Sequence, residues 1–162
     1  IPTLVDGDLV LNESAAICLH LADRHPEAGL VPPIGTAERA RFYNWLIFMT
    51  NTIQPEILVF VHAERHTTDP SSIPAIKEKA AERLADMFDI IEQRLVVDGP
   101  WLLGRTFSAA DLYLLMLVRF ARRLPDPPAT RLGAIADHAA RVADRPAVVR
   151  AFESEGLVRP WY

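Results

Sequence analysis

A single Asp-Gly pair does most to constrain how this chain can fold. Thr3-Leu4-Val5 and Leu9-Val10-Leu11 are short apolar runs separated by Asp6-Gly7-Asp8, and an Asp-Gly turn between such runs is the strongest short-range hairpin signal. Two strands alone are marginal in water. This hairpin therefore needs a sheet, yet everything after residue 12 reads as helix. The chain opens on Ile1 and not on Met, so the expectation is of strands in a segment preceding it.

Helical periodicity and its stop signals set the remaining elements. The first helix is expected from an N-cap at Asn12 to Arg24, ended by His25-Pro26. Pro32-Pro33-Ile34-Gly35 reads as a linker. Thr36 caps a long helix over Ala37 to Ala63 that Pro55 should kink, because the proline ring meets the carbonyl of Asn51. A one-sided surface helix follows over Ala75 to Val96, stopped by Asp98-Gly99-Pro100. Ser108 to Arg122 is apolar nearly all round, as a central helix would be. Pro125 to Pro128 reads as a loop. Helices marked by Leu132 to Val142 and by Pro146 to about Gly156 complete the chain.

Composition narrows the function classes. Half of the 162 residues are apolar and 23% are charged, an ordinary globular balance. Seventeen Lys and Arg against 21 Asp and Glu leave a net charge of −4 with no basic stripe, which argues against nucleic acid as a partner. The longest apolar run, Leu112 to Val118, is far short of the roughly 20 residues a membrane span needs. The sole cysteine, Cys18, fits a reducing compartment such as the cytoplasm and reads as a small buried helix residue, not a nucleophile.

Three constellations remain. Ser108 and Asp111 stand at the spacing of a capping box, with Phe107 and Leu112 as its staple, and the pair reads as structural. His62 and His66 are four apart, but the Glu of His62-Ala63-Glu64-Arg65-His66 is one place late for a zinc-protease motif and no third ligand is near, so no metal is expected. Asn12-Glu13-Ser14 follows a strand and opens a helix. Its backbone N–H groups and the Ser14 hydroxyl suit a carboxylate, and Glu13 suits an ammonium, so the site fits one end of an α-amino acid, with simple capping as the plainer alternative.

Ile1-Pro2, the Asp-Gly hairpin, Glu13-Ser14-Ala15-Ala16-Ile17, Leu30-Val31-Pro32, Leu103-Gly104, Ser108-Ala109-Ala110-Asp111 and Arg145-Pro146-Ala147-Val148 occur in this order. Together they resemble a cytosolic glutathione transferase of the bacterial kind along essentially the whole chain. The resemblance implies the end of a thioredoxin-like domain over residues 1–30, a linker over 31–36, and an all-helical domain over 37–162. The fold is thus mainly α. Pro2 is similar to the family's cis-proline, Ile1 would pair its backbone with glutathione, and Glu13 and Ser14 would grip the γ-glutamyl end. The activating Tyr, Ser or Cys of such enzymes lies in a first strand that has no counterpart here, so this chain alone is expected to be inactive.

The implied activity is attack of glutathione thiolate on a hydrophobic electrophile in a homodimeric detoxification enzyme. A glutathione-dependent isomerase, a thiol oxidoreductase and a non-catalytic binding protein are the alternatives. Where some bacterial relatives carry His-Lys, this chain has Gln54-Pro55. Asn51 and Gln54, three apart on the long helix, are expected to share a face and line the second-substrate side of the cleft.

Overall fold

The computed structural model describes residues 2–162; the expectation for Ile1, and for the Ile1–Pro2 bond, lies outside the described residues. Strands β1 (Leu4–Asp6) and β2 (Leu9–Leu11) pair antiparallel in the register Leu4 with Leu11, Val5 with Val10 and Asp6 with Leu9. Gly7 supplies the positive φ, 62°, that the turn requires. Val5 and Val10 leave 66% and 58% of their surface exposed, so the hairpin presents an uncovered apolar pair. Asp6 accepts from His20 at 2.9 Å and from Arg24, tying the hairpin to helix α1 (Ser14–Arg24).

Asn12 is not the cap of α1. Its Oδ1 accepts from the Thr3 hydroxyl at 3.0 Å, across the base of the hairpin. Glu13 takes the capping position instead and makes no side-chain cap bond. The chain then passes through a 3₁₀ turn at Pro26–Ala28. Thr36 accepts from the N–H of Arg39 at 3.1 Å and starts helix α2 (Ala37–Phe48) as expected.

The expected single long helix is three pieces: α2, a π turn at Met49–Ile53, and helix α3 (Gln54–Val61). Pro55 has no N–H for the Asn51 carbonyl. The backbone widens so that Gln54 N–H reaches Met49 O, five residues back, and Pro55 stands within the first turn of a fresh helix, where a missing donor costs nothing. Val61 ends α3. His62 is its C-cap, and Ala63–His66 form a 3₁₀ turn. The two histidines therefore do not share an α-helical face. His62 faces Glu64 at 3.4 Å, and among the described residues no three His, Cys, Asp or Glu side chains converge.

Helix α4 runs over Ile73–Asp98, longer at both ends than its apolar stripe implied. Helix α5 (Ala109–Ala121) is the central element, with nine of its thirteen residues buried. The loop expected over Pro125 to Pro128 ends at its last residue in a short helix α6 (Pro128–Arg131), and α7 (Gly133–Ala143) and α8 (Pro146–Ser154) follow. Leu132 cannot cap α7. The Glu92 carboxylate on α4 does so, accepting the N–H groups of Ala134 and Ile135 at 2.9 Å each.

Phe42, Leu46, Met49, Ile53 and Ile57 line the inner side of α2–α3 and meet Leu84, Phe88 and Ile91 of α4, Leu114 and Leu117 of α5, and Ile135 of α7 in one core. Each of these large side chains contributes about 1.5–3 kcal/mol by leaving water. No helix is long and apolar enough to cross a membrane among the described residues.

Candidate ligand site at the start of the first helix

The first intrahelical bond of α1 runs from Ile17 N–H to Glu13 O at 3.0 Å. The N–H groups of Ser14, Ala15 and Ala16 thus precede the ladder and are free as donors at the positive end of the helix dipole. Glu13 sits at φ 67°, ψ 109°. For a residue with a Cβ this conformation costs on the order of 1–3 kcal/mol, and such strain concentrates at ligand clamps. Glu13 is exposed and pairs with no cation among the described residues. An anion acceptor and an uncommitted carboxylate therefore stand side by side, the arrangement a zwitterionic α-amino acid terminus requires.

Ser14 has a partner that its sequence neighbourhood does not reveal. Its Oγ is 2.8 Å from the hydroxyl of Tyr113, 99 residues away on α5. Tyr113 is 5% exposed, and its O–H donates to Gln54 Oε1 on α3 at 2.5 Å. Burial holds the Tyr113 phenol above its usual range, so its proton stays on. A signal for Tyr113 existed in the sequence: it is the one hydroxyl-bearing residue in the apolar run Leu112 to Val118, and a buried tyrosine needs a polar partner.

Asn51 and Gln54 part company. Residues three apart share a face only on an α-helix, and the π turn rotates less per residue. Gln54 turns inward to Tyr113. Asn51 stays exposed, its Oδ1 accepting from the Thr50 hydroxyl at 3.0 Å. Burial pushes the nearby Cys18 thiol up, which suits the inert role expected of it.

Farther along the same helices lie two cavities. Phe120 is two turns beyond Tyr113 on α5, a rise of roughly 10 Å. With Ile57, Leu58 and Val61 of α3 it forms the apolar wall of a cavity of about 260 Å³ whose other side carries Arg119, Arg122 and Arg123. Phe120 also borders a second, almost wholly apolar cavity of about 450 Å³ with Leu112, Met116, Val148 and Phe152.

Ser108 and Asp111 bond to each other, and Asp111 also to Leu102 and His138, with no bond to Glu13, Ser14 or Tyr113 among the described residues. The return half of the capping box runs from Ser108 N–H to Asp111 Oδ2 at 2.8 Å, the Ser108 hydroxyl donates to the same oxygen at 3.2 Å, and Asp111 N–H donates to Ser108 O at 3.1 Å. The linker is drawn to the same place, with Ala109 N–H donating to Leu30 O at 2.7 Å.

Known proteins share this architecture and sequence. The family described as glutathione S-transferase, C-terminal domain, matches residues 48–146. A glutathione transferase from Methylococcus capsulatus is 35% identical and superposes with a TM-score of 0.85, covering 98% of this chain and 74% of that one. A sphingomonad glutathione S-transferase solved in complex with glutathione is 27% identical with a TM-score of 0.83, covering 98% of this chain and 75% of that one. Glutathione S-transferase 3 of Zea mays is 33% identical over 130 residues, covering 79% of this chain; the chain spans only 58% of that protein's length. On its helical architecture, its match over residues 48–146 and its likeness to bacterial glutathione transferases, the chain belongs to the glutathione S-transferase family.

Proposed function

We infer that this chain is part of an enzyme that transfers glutathione to a hydrophobic electrophile. The observation that carries the reading is the start of α1, where N–H groups outside the helical ladder and the Ser14 hydroxyl stand beside Glu13, whose backbone is strained and whose carboxylate pairs with no cation among the described residues. The Ser14 end takes the α-carboxylate of the γ-glutamyl group, and Glu13 takes its ammonium. Pro2, at the entrance to β1, belongs to the wall on which the cysteinyl part lies. The hairpin and α1 are then the end of a thioredoxin-like domain, and residues 37–162 the helical domain that accompanies it.

In the reaction the glutathione sulfur, as thiolate, forms a bond to an electrophilic carbon, and the leaving group departs with its electron pair. A thiolate at neutral pH is the nucleophile; the thiol is not. No residue described here is assigned to its activation. The electrophile lodges along α3 and α5 in the cavity beside Phe120, with exposed Asn51 on the approach to it. Exposed Ile47 on α2 and Ile90 and Val97 on α4 are apolar surface for a second copy of the chain, so light scattering should report a homodimer and not a monomer.

Calorimetry on the complete gene product tests the site. A lost hydrogen bond to a charged group costs about 1.5–3 kcal/mol, so Ser14→Ala and Glu13→Gln should each weaken glutathione binding roughly tenfold or more. Unchanged affinity in both variants would refute the assignment. Asn51→Ala should instead raise the KM for an aromatic electrophile and leave the glutathione affinity in place; steady-state kinetics that show the reverse split would move Asn51 out of the second-substrate side.

A further inference from the structure

The bonds at Ser14 have a direction, and it is the wrong one for an anion. Tyr113 has one hydroxyl proton, and it goes to Gln54 Oε1 at 2.5 Å. At 2.8 Å from Tyr113, the Ser14 hydroxyl must therefore give its own proton to the tyrosine oxygen. In that state Ser14 offers outward only lone pairs, which repel a carboxylate. For the hydroxyl to hold an anion and keep its bond to Tyr113, the whole chain of bonds has to reverse. Ser14 then donates to the ligand, Tyr113 donates to Ser14, and a donor must replace the acceptor on the far side of Tyr113.

Gln54 can make that exchange, because rotating its amide puts an NH₂ where the oxygen was. A carboxylate at the same position could only accept. The three side chains come from α1, α3 and α5, and only the fold brings them together. Reversal breaks no bond without making another, so its cost is small, while chained hydrogen bonds polarise one another and strengthen the end that meets the ligand.

We propose that Tyr113 and Gln54 are positioning residues for the γ-glutamyl carboxylate of glutathione, acting through Ser14 as a hydrogen-bond relay whose polarity the Gln54 amide reverses when the ligand binds. The proposal rests on the assignment of Glu13 and Ser14 to glutathione. It explains why a polar residue occupies position 54, one turn before the buried Ile57 on the same helix. It also gives the π turn a consequence, since the wider turn is what separates Gln54 from Asn51.

The test is a double-mutant cycle read by glutathione Kd on the complete gene product. Gln54→Glu, which can accept but not donate while ionised, locks the relay in its resting polarity and should weaken glutathione at least tenfold. Gln54→Met removes the acceptor, leaves Tyr113 free to donate to Ser14, and should bind within about threefold of the unmodified protein. With Ser14→Ala already present, the tenfold gap between the Glu and Met variants should close to less than about threefold. The residue of that gap is the direct repulsion between charges, which is thereby separated from the relay. Tyr113→Phe cuts the connection and should restore most of the affinity that Gln54→Glu loses.

Equal losses in the Glu and Met variants, a gap that persists without the Ser14 hydroxyl, or a Tyr113→Phe change that fails to rescue would each overturn the relay. If the unmodified protein binds glutathione and Ser14→Ala weakens it, such a result leaves the site assignment standing. Absence of glutathione binding by the unmodified protein overturns both.

Discussion

Asp111→Ala is expected to lower stability by about 3–5 kcal/mol, the loss typical of removing one partner from a buried charged network. For a chain of this size that is a fall in melting temperature of roughly 6–20 °C. Asp111 is fully buried and accepts four hydrogen bonds, one of them from the Ser108 hydroxyl to Oδ2 at 3.2 Å. Oδ1 accepts from Leu102 N–H and from His138 Nε2, both at 2.9 Å; Oδ2 accepts from Ser108 N–H at 2.8 Å. The carboxylate thus joins the start of α5 to the loop before it and to α7, and it holds His138 against the edge of Trp101, 5.7 Å away between ring centroids.

The sharper form of this prediction is Asp111→Asn. At an N-cap Asn serves as well as Asp, but Asp111 is the third residue of its helix and reaches back to the Ser108 N–H. Here each carboxylate oxygen faces a backbone N–H, so an amide must aim its NH₂ at one donor or the other. Asn should therefore destabilise nearly as much as Ala. Thermal melts with Asn close to the unmodified protein would show that the box is a simple cap. If Asp111→Ala kept its melting temperature and lost glutathione affinity, Asp111 would belong to the ligand site instead.

The half of this network that lies within four residues was legible in the sequence, and the rest was not. Ser108 and Asp111 announce each other by spacing. His138 lies 27 residues on, in a helix whose apolar stripe of Leu132, Ile135, Ala136, Ala139 and Val142 gives no reason to single it out. The same division runs through the whole chain. Thr36 as a cap, the end of α1 before His25-Pro26 and the buried character of α5 follow from local chemistry. Proline at position 55 predicted a break in the long helix. The apolar side chains Met49, Ile53 and Ile57 pass through that break four apart, so their rhythm could not show that the backbone answers Pro55 by widening into a π turn. Asn51 and Gln54 were paired on α-helical spacing, and that spacing fails within the wider turn.

At the candidate site, Glu13 and Ser14 were found because a ligand's charges can be matched to adjacent residues. Tyr113 and Gln54 reach Ser14 only through packing between helices distant in sequence.

Arg39→Met should cost about 2 kcal/mol, a melting-temperature loss of roughly 4–8 °C. Nothing in the helical pattern marks Arg39, yet its side chain is 4% exposed and it is the point where α1, the linker and α2 meet. Its Nη1 and Nη2 donate to the two oxygens of Asp23 on α1 at 2.9 Å each, and Nη1 also donates to Pro32 O at 3.0 Å. The guanidinium lies over the Tyr43 ring at 4.8 Å. Lysine cannot replace this fork, so Arg39→Lys should recover only part of the loss.

Because Asp23 is 41% exposed, solvent screens the ion pair, and the larger share of the loss comes from the hydrogen bonds. The Arg39 hydrogen bonds hold the Asp23 carboxyl below its ordinary value. A depressed carboxyl contributes stability that is present above its unfolded pKa, about 3.9, and disappears as pH falls through the folded value. The gap between the unmodified protein and Arg39→Met should therefore be full at neutral pH and narrow below about pH 4, where only the bond to Pro32 O remains. In a cycle with Asp23→Asn, the coupling should likewise vanish in acid. Equal melting temperatures at neutral pH, or a gap that widens in acid, would show that α1 is held to the helical domain by its apolar contacts and not by Arg39.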